Sequence, residues 1–218
     1  MKGANIKTCL KIGAWCISLT LAGCISLPNS PMSPTPRFYM LSAINETQVS
    51  KKINITPGVI IGVGPVKIPG YLDRPQIVTK DKEGVLKFDE FDRWGESLDL
   101  GIARLIREEL TVMLPQEKLT LYPWNPSIAV KYQVVAEVVQ LDSELDKNMF
   151  FVVQWAVIDV INSKAVIIKR SEFSTAILPQ NYSGLVKALS MSCASLSSQI
   201  AEALGTLKTK ENESIKPL

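Results

Sequence analysis

Between Leu98 and Leu114 the apolar positions are Leu98, Ile102, Leu105, Ile106, Leu110 and Met113, a three-and-four spacing that draws one stripe down a helix. Arg104, Arg107, Glu108 and Thr111 fall on the other side, and Pro115 supplies the stop. A second stripe runs through Leu185, Leu189, Cys193, Leu196, Ile200 and Leu204. It predicts another helix with Ser190, Ser197, Ser198 and Glu202 facing outward and Gly205 placed to close it. The rest of the chain reads as strands. Arg37 to Leu41 is a short aromatic and apolar run. Val59 to Val66 is rich in β-branched residues and ends or bulges near Gly64-Pro65. Gln76 to Thr79 and Val85 to Phe88 flank Asp81 to Gly84 as a hairpin. A short strand at Leu119 to Tyr122 leads to the corner Pro123-Trp124-Asn125-Pro126.

Three long β-type runs follow. Val130, Tyr132, Val134, Ala136 and Val138 alternate with Lys131, Gln133, Val135, Glu137 and Val139, so one face is apolar and the other only half so. Met149 to Ile161 and Ala165 to Ala176 are joined at Asn162-Ser163-Lys164, which is good turn chemistry. The economical reading is a meander. The expected class is α+β: a single domain with a mostly antiparallel sheet and two main amphipathic helices packed on it.

The first residues change the picture of where this domain works. Lys2, Lys7 and Lys11 precede an uncharged apolar run from Ile12 to Ala22, too short to span a bilayer but suited to the core of a cleaved signal. Leu21-Ala22-Gly23-Cys24 then has the form of a bacterial lipobox. Its cysteine sulfur takes a diacylglyceryl group, the chain is cut before it, and the new amine is acylated. Several acyl chains on one residue hold a protein stably, so Cys24 suffices as an anchor. Ile25 stands where an Asp would mark retention at the inner membrane, which points to the periplasmic face of the outer membrane. Ser26 to Pro36 is a Pro/Ser-rich stand-off tether. The expected division is 1–23 signal peptide, 24–36 lipidated tether, 37–205 folded domain and 206–218 mobile polar tail.

Charge and cysteine usage narrow the function classes. The chain carries 24 basic and 21 acidic side chains, and the signal removes three lysines and no acid, leaving 21 of each. A neutral domain offers no footprint for nucleic acid. Cys9 and Cys16 leave with the signal and Cys24 takes lipid, so Cys193 is the domain's one thiol, on a stripe where it serves as a small hydrophobe. The chain has no histidine, which removes His-based triads and His-ligated zinc. Gly62-Val63-Gly64 precedes Pro65 and opens no helix, so it is a poor dinucleotide loop. Asp89, Glu90 and Asp92 lack the glycine and terminal glutamate of a calcium loop and read as a solvated charged loop. A serine nucleophile would need a lysine base here, and Lys187 lies near Ser183 and Ser190, but incidental polar facing explains them better. No metal and no cofactor beyond the lipid on Cys24 is expected, and no catalysis.

Two segments carry the most specific pattern. Ile68 to Val78 leads through a Pro-bracketed loop that presents Tyr71, Leu72 and Arg74. Arg93-Trp94-Gly95-Glu96-Ser97-Leu98 reads as the entry to the first helix, with Glu96 and Ser97 suited to its cationic end. Tyr, Trp and Arg are the residue types enriched in binding hot spots. Tyr71, Leu72, Arg74, Arg93 and Trp94 are therefore the partner-binding candidates, set against a reading in which Trp94 caps the core and the charges pair within the domain.

The lipobox, Phe38-Tyr39-Met40-Leu41, the Val66 to Val78 block and the Arg93 to Leu98 block together resemble the ABC-type transport auxiliary lipoproteins, the group that includes the outer-membrane lipoprotein of the paraquat-inducible system. The resemblance spans nearly all of the mature domain. It implies a docking role in an MCE-type phospholipid transport system, with an MCE-domain protein bridging the periplasm as partner, and it brings no catalytic residues. A ring or other homo-oligomer would suit a cap on a tubular partner. Two other classes stand beside it: a phospholipid carrier with an apolar cavity between helix and sheet, and an assembly factor for outer-membrane barrels or lipopolysaccharide insertion.

Overall fold

The computed structural model describes residues 34–43, 53, 58–81, 83–115 and 117–214, with side chains as far as 207. The signal, Cys24 and the tether up to residue 33 lie outside them, as does most of the expected loop from Ala43 to Thr56. In order along the chain come β1 (Arg37–Tyr39), β2 (Ile60–Lys67), β3 (Gln76–Lys80), β4 (Leu86–Trp94), α1 (Leu98–Met113), β5 (Lys118–Leu121), β6 (Tyr132–Ser143), β7 (Asn148–Asp159), β8 (Lys164–Ala176) and α2 (Tyr182–Ser214). The α+β class holds. The strands divide into two sheets, ordered β1-β4-β3 and β5-β2-β6-β7-β8. The long ladders, β6 with β7 and β7 with β8, are antiparallel, whereas β1 with β4, β2 with β5 and β2 with β6 run parallel.

The parallel pairs follow from the connections. β2 and β5 are separated by the β3–β4 hairpin and α1, long enough for a crossover that returns the chain in the same direction. The expected irregularity at Gly64-Pro65 is a register slip between Val63 and Val66 against β6, where the Gln133 side-chain amide donates to the Gly64 carbonyl at 2.8 Å. Two residues earlier, Gly62 lies against the Trp124 ring, and a Cβ there would come within 2.4 Å of it. The Gly-Val-Gly run is therefore a strand shaped by close packing.

Both helices lie on one face of the five-stranded sheet, α1 over β2 and β5 and α2 over β7 and β8, and they pack against each other. Every apolar residue of the two predicted stripes is buried. Against them β6 turns Tyr132, Val134, Ala136 and Val138, and β7 turns Met149, Phe151, Val153, Trp155 and Val157. α1 begins after Ser97 in the cap position, but no side-chain cap bond forms; Glu96 reaches Arg104 instead, at 2.6 Å. α2 departs from expectation in two ways. It continues past Gly205 to Ser214, so the polar segment from 206 is helical that far. Ser190 and Ser197 are buried rather than outward-facing, their hydroxyls returned to the carbonyls of Val186 and Cys193 four residues back. A bond of this kind lets a buried hydroxyl donate within its own helix, so the sequence pattern alone gave no sign that serines could face inward.

Candidate functional site

The three-stranded sheet turns one face inward and one to solvent, and short-range hydrogen bonds decide which residue goes where. In the loop before β3, Leu72 donates its amide to Pro69, Asp73 to Gly70 and Arg74 to Leu72. These tight turns send Leu72 into the core at 3% exposure and leave Arg74 outside. Arg93 and Trp94 do not form a helix entry; they are the last residues of β4, and the strand's alternation separates them. Trp94 is buried at 8% exposure, while Arg93 faces out beside Gln76 on β3 and Phe38 on β1, the three forming one row across the sheet.

The acidic run within β4 is not a solvated loop. Asp89 accepts the amides of Phe91 and Asp92 at 2.8 Å each, and β4 gains residues against β3 between its pairings with Val78 and Gln76. This bulge throws Glu90 and Phe91 outward and brings the Asp92 carboxylate back in, at 2% exposure. Bulges commonly re-aim side chains in this way. Glu90 then ties the outer row together: Arg93 donates to its carbonyl at 2.8 Å and its carboxylate at 3.1 Å, and Gln76 donates to it at 3.5 Å. Next to this row the Arg74 guanidinium lies 4.2 Å over the Phe88 ring.

The outer face therefore alternates cations with large apolar groups. Phe38 is 67% exposed and Phe88 41%, with Met40 and Phe91 also exposed. Monomeric surfaces seldom collect such groups without use. Of the five candidates from sequence, Arg74 and Arg93 meet on this face, Leu72 and Trp94 belong to the core, and Tyr71 lies elsewhere. Tyr71 is half-buried with its hydroxyl against the Leu141 backbone and near Asp142 and Lys80, and burial raises its pKa above the ordinary phenol value. Lys80 and Asp142, paired at 3.0 Å, also line a cleft of about 740 Å³ between the β3–β4 and β6–β7 hairpins, as does the pair Lys147–Glu144 at 2.8 Å.

Sequence reasoning missed Phe38, Phe88 and Phe91. One signal was present: Phe88 and Phe91 are three residues apart among charges, a spacing that a regular strand cannot place on one face. Cys193 is fully buried, which pushes its thiol up to about 12, far from the range of a nucleophilic cysteine. Among the described residues no group of His, Cys, Asp and Glu is arranged to hold a metal, and no helix is long and apolar enough to cross a membrane.

A sequence model of the ABC-type transport auxiliary lipoprotein component matches residues 39–201. No curated protein matches the chain. Among solved structures, an uncharacterized protein is 17% identical with a TM-score of 0.64, the alignment covering 78% of this chain and 99% of that one. A Xanthomonas campestris protein of the DUF330 family model is 9% identical with a TM-score of 0.61, covering 82% and 98%. At these identities the likeness concerns the fold.

Proposed function

Because the chain belongs to the family of ABC-type transport auxiliary lipoproteins, we propose that it is an outer-membrane lipoprotein, held at the periplasmic face by acyl groups on Cys24, that serves as a non-catalytic docking component of an MCE-type phospholipid transport system and so supports envelope integrity. The observation that carries the docking role is the row Phe38–Arg93–Gln76 with Arg74 stacked on Phe88 beside it. Arginine and aromatic side chains held rigidly on a sheet lose little freedom when a partner covers them. Leu72 and Trp94 act from below, fixing the loop and the end of β4 that carry the two arginines. The partner is an MCE-domain protein spanning the periplasm.

The lipid-carrier reading has less behind it. Its cavity would lie between helix and sheet, where Phe151, Trp155, Leu189 and Ile200 fill the space. A homo-oligomer would use the open edge of β8, a thirteen-residue strand paired on one side only.

Co-capture of the MCE partner from detergent extract tests the docking role. A variant combining Phe38→Ser, Arg74→Glu, Phe88→Ser and Arg93→Glu should lose the partner while its circular dichroism stays unchanged. Undiminished recovery of the partner would remove this face from consideration.

A further inference from the structure

We infer that β1 is a clasp that carries load from the lipid tether into the docking face, an inference that rests on the anchored-adaptor reading above. The chain passes from the tether directly into Arg37, so any pull between an anchored Cys24 and a docked partner is applied first to β1. A strand of three residues at a sheet edge is poorly held by its ladder alone. Its side chains supply the rest.

The side chains of β1 alternate in role as well as in direction. Arg37 and Tyr39 turn toward Asp92 and divide its carboxylate between them: the Arg37 Nη2 donates to Oδ2 at 2.6 Å, and the Tyr39 hydroxyl donates to Oδ1 at 2.6 Å. Asp92 is itself fixed by the bulge, through its amide on Asp89. Hydrogen bonds from a charged group to a buried carboxylate are the strong kind, and a carboxylate that loses its donors in such a site is costly. Phe38, between the two, points the other way and sits beside Arg93 in the docking row.

Three further bonds extend the attachment beyond the strand. The Gly95 amide donates to the Tyr39 carbonyl at 2.8 Å, Arg104 donates to the Leu41 carbonyl at 2.8 Å, and the Ser42 amide donates to the Ser190 hydroxyl at 3.3 Å. Arg37, Tyr39, Leu41 and Ser42 are thus fastened to β4 and the glycine after it, to α1 and to α2. Because β1 and β4 hold the clasp and also carry Phe38 and Arg93 of the docking row, a pull from the membrane reaches that part of the row through two neighbouring strands without crossing the helix–sheet core.

The test uses the full mature chain, with the unacylated Cys24 thiol as a handle for single-molecule pulling against the C-terminus; Cys193 is buried and does not compete. Arg37→Ala and Tyr39→Phe each remove one bond to Asp92 and no core side chain. Each variant should expose the Gly95 and Ser42 amides to hydrogen exchange about tenfold faster, and the double variant more, with β6 and β7 unchanged. On pulling, the double variant should release the segment at 37–42 at a lower force than wild type, before the domain unfolds. Wild-type exchange and wild-type release in the double variant would overturn the clasp. Both readouts are made without a partner, so a failed co-capture bears on the docking face alone and a failed pulling result on the clasp alone.

Discussion

Arg104, in the middle of α1, reaches the backbone carbonyl of Leu41 with its Nη2 at 2.8 Å, although the two residues are 63 positions apart. The same guanidinium binds Glu96 at 2.6 Å and Glu108 at 3.1 Å, and these carboxylates raise its pKa further, with the Glu96 hydrogen bond first in importance. Arg104→Ala strands the Leu41 carbonyl and two carboxylates that share a partly buried site. A loss of about 2 kcal/mol is expected in urea unfolding. Arg104→Lys should recover only part of it, because one ammonium cannot reproduce the planar fork.

Gly184 sits in the first turn of α2, where its amide donates to the Asn181 side chain at 3.0 Å. A Cβ at this position would lie 1.8 Å from the Pro179 carbonyl oxygen, a clash with backbone that no rotamer relieves. Gly184→Ala should therefore destabilise the domain by about 3 kcal/mol or more, although alanine is ordinarily the better helix former. A midpoint in urea at or above wild type would contradict this.

The Cys193 thiol, pushed up to about 12 chiefly by burial and then by the Glu109 charge, gives a pH dependence of defined sign. The unfolded thiol ionises near 9 while the folded one stays protonated, so above pH 9 the unfolded state binds fewer protons and stability falls until about pH 12. At pH 10 the loss from this residue is on the order of 1 kcal/mol. Cys193→Ala should flatten that part of the slope in urea titrations at pH 7 to 10. In native protein at pH 8, thiol reagents should modify Cys193 only at the rate of global opening.

Arg74 over Phe88 separates binding from stability. An exposed cation–π contact contributes about 0.5 to 1 kcal/mol, so Arg74→Ala should shift the urea midpoint only slightly. If the face docks a partner, the same substitution should weaken co-capture at least tenfold, as hot-spot arginines do. A large stability loss with unchanged capture would make Arg74 a structural residue.

The anchor has its own test. Palmitate fed to growing cells should label the wild-type chain and leave a Cys24→Ser form unlabelled, and the serine form should be absent from the outer-membrane fraction. Normal outer-membrane fractionation of Cys24→Ser would end the anchored-adaptor reading.

The residue order by itself determined the two helices, the three-strand meander, the irregularity at Gly64-Pro65 and the inward side of α1, because each depends on spacing within a dozen residues. It also set the chemical limits: no histidine, one cysteine after residue 24, and Leu21-Ala22-Gly23-Cys24 ahead of a Pro/Ser-rich stretch. Only the tertiary structure decided that β1 joins β4 in parallel, that the strands part into two sheets, and that Leu72 and Trp94 fill the core while Arg74 and Arg93 share the outside with Phe38 and Phe88. Alternation says which side chains share a face of a strand; it does not say which strand lies alongside or which face another layer covers. Those choices come from contacts across fifty or more positions, such as Arg37 with Asp92, where one buried carboxylate and a local bulge outweigh the propensities of the residues around them.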